Sequence, residues 1–157
     1  MFEKIFGQTT VQDEYAKRYI KNFEKYSLLP RSTRKTLEKL WQYNLPQPII
    51  EKLRKKFPFN FMQHDEILIC IDEFKKYMAI QVIGRSKNMP VSMTSNIIDE
   101  IWHQFILFTI EYHQFSKMLN SEFIHHTPNT KTFSFGPNAA VFFFSTYKDY
   151  FGDLHFP

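Results

Sequence analysis

Apolar positions recur along most of this chain at steps of three and four, the period of one face of an α-helix. Tyr15, Tyr19, Ile20, Phe23 and Tyr26 share such a face, with Lys17, Lys21 and Lys25 on another, and predict a first helix over 11–28 that Leu29-Pro30 ends. Ser32 is placed to cap a second helix through Leu37, Leu40 and Trp41. Leu45-Pro46 breaks it, and Pro48 suits the first turn of a third helix over 49–57. Phe57-Pro58-Phe59-Asn60-Phe61 reads as a loop whose aromatics plug the core. Ile67, Ile71, Phe74, Tyr77, Met78 and Val82 then form the stripe of a fourth helix over 64–83, with Gly84 as its stop and a polar connector over 85–90.

The pattern is densest over 94–119. Ile97, Ile101, Phe105, Phe108, Tyr112, Phe115 and Leu119 make one stripe, and Ile98, Trp102, Ile106, Thr109 and His113 make a second beside it. A helix apolar on that much of its surface is packed on several sides, so this segment is expected to be the long central helix, ended by Asn120-Ser121. The stretch 127–137 reads as loop. Asn138 is placed to cap a last helix over 139–151, with a strand through Val141–Ser145 as the alternative. The expected architecture is all-α: a compact bundle of about five to six helices around a long central helix near 94–119. It forms a single domain over 1–157, with residues 1–10 as a flexible N-terminus.

Composition agrees with helices. Of 157 residues, 43% are hydrophobic and 18 are Phe, while Gly numbers only 4, a balance poor in turns. The one cysteine, Cys70, sits in the apolar run Ile67–Ile71, reads as an inert buried residue and cannot form an internal disulfide. No leader sequence or apolar span of roughly 20 residues is visible, so a cytoplasmic location without membrane contact is the default expectation. Charge is uneven: residues 1–60 carry 13 Lys/Arg against 6 Asp/Glu, and residues 61–157 carry 7 against 10. The basic half can be a solvated helical surface or can dock a protein or nucleic-acid partner. Lys52-Leu53-Arg54-Lys55-Lys56, with Arg31, Arg34, Lys35 and Lys39, is its densest part.

Chemistry concentrates near the second apolar stripe. Asp99 and His103 lie four apart, so on a helix their side chains meet. The carboxylate can orient the imidazole, or both can ligate a metal with His125 or His126 arriving from the segment beyond. Adjacent histidines project in different directions, so one of His125-His126 is expected to ligate and the other to face elsewhere. A surface His103–Asp99 pair with a His-His turn before Pro128 is the plain structural alternative. Zinc or iron is the candidate ion. Glu100-Ile101-Trp102-His103 and Glu122-Phe123-Ile124-His125 also match Glu-x-x-His, the spacing of di-iron bundles, with Glu73 or Glu111 as a further carboxylate. A Gly-rich phosphate loop, a His-Glu-x-x-His helix and paired Cys-x-x-Cys are absent, and no hydroxyl has the context of a triad nucleophile.

Met89-Pro90-Val91-Ser92, Asp99-Glu100-Ile101-Trp102-His103, Thr109, Tyr112, Phe115 and Phe123-Ile124-His125-His126-Thr127-Pro128 together resemble a group of small uncharacterised bacterial proteins. That group is distantly similar to the conserved N-terminal part of plant glycine-rich domain-containing proteins. The resemblance implies that Asp99, Trp102, His103, Tyr112, His125 and His126 belong to one feature. Against that pattern, Ser116 stands where a Cys is expected, and Leu119-Asn120-Ser121 where a Phe-Gly is expected. If that Cys were a ligand, metal binding here would be weakened. The functional expectation is a small helical binding or accessory protein with a His/Asp polar site that can hold a metal. The alternatives are a metal-free module docking through its basic half, and a metal-dependent hydrolase or oxidase.

Overall fold

A computed structural model of the protein describes residues 11–121, 124–126 and 136–154, with side chains from residue 14 onward. The described residues are all-α and contain no strand. Eight α-helices follow in order: α1 (Val11–Tyr19), α2 (Phe23–Ser27), α3 (Arg31–Gln42), α4 (Gln47–Leu53), α5 (His64–Ser86), α6 (Asn96–Ile106), α7 (Thr109–Met118) and α8 (Pro137–Phe151). A short 3-10 turn, Phe59–Phe61, precedes α5. None of these helices is long and apolar enough to cross a membrane. The expected flexible segment 1–10 and most of the loop at 127–137 lie outside the described residues.

The all-α expectation holds, but the centre of the bundle is α5, not the segment 94–119. Across 23 residues, α5 buries side chains around most of its circumference, including Ile67, Cys70, Phe74, Tyr77, Met78 and Val82. It packs on α3, α6 and α8. At 1.5 Å per residue it is roughly 35 Å long, enough to wall the whole bundle. Its start is fixed by the Gln63 N–H, which donates to the Glu66 carboxylate at 2.7 Å.

The predicted 94–119 helix is two helices, because the chain leaves helical geometry at Leu107 and Phe108. The break turns α7 back so that Tyr112 meets Trp102 and Phe105, while Thr109 and His113 of the second stripe stay exposed. In an unbroken helix Trp102 and Tyr112, ten residues apart, would be separated by about 15 Å. Here their polar atoms are 2.7 Å apart. The predicted first helix is likewise two: Asn22 caps the Lys25 N–H at 3.0 Å, and the Lys21 N–H turns away to donate to the Tyr150 carbonyl at 2.8 Å. Helix α3 starts one residue before Ser32, behind Pro30, so Ser32 is not its cap. The third helix ends at Leu53 instead of Phe57. Residues 137–151 are helical, which removes the strand alternative, and Gly136 rather than Asn138 precedes that helix.

Gly84 is not the stop of α5. The helix runs on to Ser86, and Asn88, with φ of 54°, makes the left-handed turn that ends it. The connector therefore begins two residues later than expected. Gly84 is needed for a close approach: a Cβ there would lie 2.7 Å from the Met89 carbonyl oxygen and 3.0 Å from Val91 Cγ2. The Met89 N–H returns to the Gly84 carbonyl at 2.8 Å.

Two charged groups of α5 are buried with partners from the flanks. The Glu73 carboxylate accepts from Tyr147 at 2.8 Å and from Lys76 at 2.7 Å. The Lys75 ammonium donates to the Tyr19 hydroxyl at 3.3 Å and the Trp41 carbonyl at 3.5 Å. Burial lowers the Lys75 pKa to about 8, against the opposing pull of Asp72. The unfolded chain holds this proton up to about pH 10.4, so native Lys75 binds fewer protons between those values and stability rises with pH there. Lys75→Met should therefore exceed the parent in stability at pH 7, by a margin that shrinks as pH climbs from 8 to 10. Urea unfolding at several pH values checks this, and a margin independent of pH would contradict it. Gly84→Ala should cost about 1–3 kcal/mol through overpacking, despite its gain in helix propensity, read as a lower denaturation midpoint with unchanged slope.

Candidate metal centre

Helix α6 begins with the Ser95 hydroxyl accepting the Ile98 N–H at 3.3 Å, which sets the register of the helix. Asp99 and His103 then stand one turn apart on the same face, their nearest polar atoms 3.8 Å apart. The third member arrives from residues 124–126. His126 Nε2 lies 2.7 Å from Asp99 Oδ1 and 2.8 Å from His103 Nε2. One potential ligand atom from each of the three lies within 4.8 Å of those of the others. His126 is almost fully covered, Asp99 is partly covered and His103 is the open side, with 45% of its side chain exposed.

His126 is held by its ring and by its backbone. The imidazole stacks on the Trp102 indole, with centroids 4.3 Å apart and planes 22° apart. Trp102 Nε1 donates to the Tyr112 hydroxyl at 2.7 Å, and that hydroxyl donates to the Ile124 carbonyl. The Ile124 N–H donates to Ser116 Oγ at 3.2 Å. Both backbone groups of Ile124 are thus tied to α7, two residues before His126. Burial raises the Tyr112 pKa to about 12, so the hydroxyl keeps the proton this relay uses. Burial pushes the His126 imidazole below the usual histidine range, opposed by Asp99 and reinforced by His103. It is therefore neutral at pH 7, the form in which an imidazole ligates.

The structure brings together Asp99, His103 and His126, and leaves His125 outside this cluster. Consecutive side chains diverge, so His125 is exposed and instead lines an adjoining cavity of about 170 Å³ with Tyr77, Gln81, Val91, Trp102 and His126. Ser116 is fully buried and serves as a backbone acceptor, so its hydroxyl is spent on the strap that positions His126. The departure from Cys at this position therefore falls beside the cluster and not within it. Glu100 accepts from the Gln104 amide at 2.7 Å and Glu73 is paired with Lys76 and Tyr147. Glu122 lies outside the described residues, and the described ones do not assemble the di-iron set. Sequence reasoning places Tyr77 in the core stripe of the fourth helix and does not single out Gln81; only the fold sets them beside Trp102.

The basic stretch is partly engaged within the molecule. Lys52 lies 5.6 Å from the centre of the Phe108 ring, Arg54 contacts His64, and Arg34 Nε donates to the Leu29 carbonyl at 3.1 Å. Lys55 and Lys56 are exposed at the end of α4.

Tyr112→Phe should orphan the buried Trp102 N–H and the Ile124 carbonyl together, costing roughly 2 kcal/mol or more. It should also change the near-ultraviolet signal of Trp102. Unchanged stability and an unchanged spectrum would show that the relay does not hold the strap.

No curated protein and no solved structure matches the chain. A family model described as UCP032817-like matches residues 34–135, a span that begins within α3 and encloses α4 to α7 and the Asp99–His103–His126 cluster. With about two thirds of its length matched, the chain belongs to the UCP032817-like family.

Proposed function

We propose that this is a small helical binding or accessory protein that holds one divalent metal ion, zinc or iron, on Asp99, His103 and His126. The observation that carries this is the crowding at His126 Nε2, which faces the Asp99 carboxylate and His103 Nε2 at hydrogen-bond distance at once. A single N–H serves one of them well. If it points at Asp99, the two imidazole nitrogens have no proton aligned between them unless His103 supplies one, and then two hydrogens compete for the same space. A cation at the meeting point accepts a lone pair from all three and removes the conflict. Donors about 2.1 Å from a tetrahedral ion stand about 3.4 Å apart, so the two short spacings would open by roughly 0.6 Å on binding, a small side-chain adjustment. Two imidazoles and a carboxylate suit zinc or ferrous iron, and three protein ligands leave positions open.

The resemblance of this block to small uncharacterised bacterial proteins, distantly similar to the N-terminal part of plant glycine-rich domain-containing proteins, supports the same reading, since it implies that Asp99, Trp102, His103, Tyr112, His125 and His126 belong to one feature. The cavity beside Trp102 and His126 favours a second, narrower version, a metal-dependent hydrolase or oxidase whose substrate enters there. Docking through the exposed Lys55 and Lys56 is the reading that needs no ion.

Elemental analysis of untagged protein after metal-replete expression should find about one zinc or iron per chain. His126→Ala and Asp99→Asn should each weaken binding by about tenfold or more, while His125→Ala should leave it near the parent value. Protein without stoichiometric metal, or a His126→Ala variant that binds as tightly as the parent, would sink the proposal.

A further inference from the structure

The cavity at His126 is one end of a longer groove. A second hollow of about 240 Å³ shares Gln81 and His125 with it and continues past Val82 to Arg85. A third, of about 170 Å³, shares Val82 and Arg85 with the second and is lined by Ser32, Thr33, Thr36, Ser86 and Asn120. Tyr77, Gln81 and Arg85 are spaced by four on α5, so they lie along one line of that helix, which forms the floor over about 12 Å. The two ends differ in chemistry. At one are Trp102 and the imidazoles. At the other are a guanidinium, three hydroxyls from α3, a serine and an amide, and among the described lining residues no carboxylate.

That far end is organised. One guanidinium NH2 of Arg85 donates to the Leu119 carbonyl at the end of α7, which fixes the fork. A guanidinium has five N–H donors, so this leaves others for a ligand. The Asn120 amide donates to Thr36 Oγ1 at 2.7 Å, and Thr36 Oγ1 donates to the Ser32 carbonyl at 3.1 Å, bracing the opposite wall. Asn120 reaches this position because it adopts a left-handed conformation, φ 58°, just past α7.

We infer that this groove is a binding site for an elongated organic anion, whose phosphate or carboxylate group sits against Arg85, Ser32 and Asn120 while its body runs past Gln81 towards Trp102. A planar fork beside hydroxyl and amide donors is the arrangement that recognises an oxyanion. The position of the anion does not depend on an ion at His126. Only the contact of the ligand's other end with the metal rests on the proposed function.

The test is a proton–nitrogen correlation NMR titration of the whole chain at constant ionic strength, using inorganic phosphate, butyl phosphate and hexanoate separately. Inorganic phosphate should shift Ser32, Thr33, Ser86 and the Arg85 side chain in a saturable way. Butyl phosphate should shift the same signals and also the Gln81 side-chain amide and the Trp102 indole. A tighter response to hexanoate than to butyl phosphate would assign the anion as a carboxylate, and the reverse as a phosphate. Arg85→Gln should weaken the response by about tenfold, whereas Lys55→Gln, which removes the same charge elsewhere, should leave it unchanged. The shift map of the parent needs no variant, so it stands even if Arg85→Gln fails to fold. Shifts that do not saturate, or that centre on Arg54 to Lys56, would overturn the inference. Repeating the titration on His126→Ala, which breaks the metal cluster and keeps Arg85, separates failure of the groove from failure of the metal reading.

Discussion

The candidate site depends on a relay of two hydrogen bonds from the Trp102 indole through the Tyr112 hydroxyl to the Ile124 carbonyl. Asp99 and His103 are positioned by a single helix and would stand together in any fold that keeps it. His126 comes from beyond α7, and a segment without helical hydrogen bonds needs some other tie to present a side chain in one place. Tyr112 supplies that tie because it can accept and donate through the same oxygen, and Ser116, one turn further along, secures the N–H of the same residue, Ile124. The stacked Trp102 and His126 rings then leave the imidazole little freedom. Preorganisation of this kind lowers the cost of gathering three ligands around an ion.

The relay exists only because the chain breaks at Leu107 and Phe108. The break converts the expected single helix into a hairpin of helices in which Tyr112 meets Trp102, with Phe105 edge-on to Tyr112 at 5.1 Å. This explains what could and could not be seen in the amino-acid pattern. The period of three and four identified most of the helical residues, and Asp99 with His103 followed from spacing alone. The division of 94–119 was hidden, because neither proline nor glycine marks the corner; it leaves Thr109 and His113 of the expected second stripe exposed. Periodicity reports which face is apolar and is silent on whether that face meets another element or its own continuation.

The same limit explains the other differences. Gly84 was expected to end α5 because glycine often follows a helix. Its use here is to let the Met89 backbone pass close by, a demand that arises between segments and leaves no local trace. The division at Ile20–Asn22 responds to the Tyr150 carbonyl, more than a hundred residues away in sequence. The choice between His125 and His126 could be framed in advance, since neighbours diverge, but which one turns inward was set by the Trp102 face. Tyr77 and Gln81 became visible only once α5 was placed under α6.

The residues matched by the family, 34–135, contain α5, yet two of the polar contacts that make the interior of α5 tolerable lie outside that span. Tyr147 on α8 donates to Glu73, and Tyr19 on α1 receives the Lys75 ammonium. Both flanks are also fastened to each other, through the Lys21 N–H on the Tyr150 carbonyl and the Lys25–Asp149 pair at 2.6 Å. The matched span thus takes two of the hydrogen bonds on its buried charges from sequence outside it, while the counter-charge of Glu73, Lys76, lies within it. Drift in the flanks is consequently not free: a replacement at position 147 must still offer a hydrogen to a buried carboxylate, and one at position 19 must still receive a buried amine. In a relative whose flanks are unrecognisable by sequence, these two functions are what should be sought at the corresponding places, or else the buried glutamate and lysine should have disappeared with them.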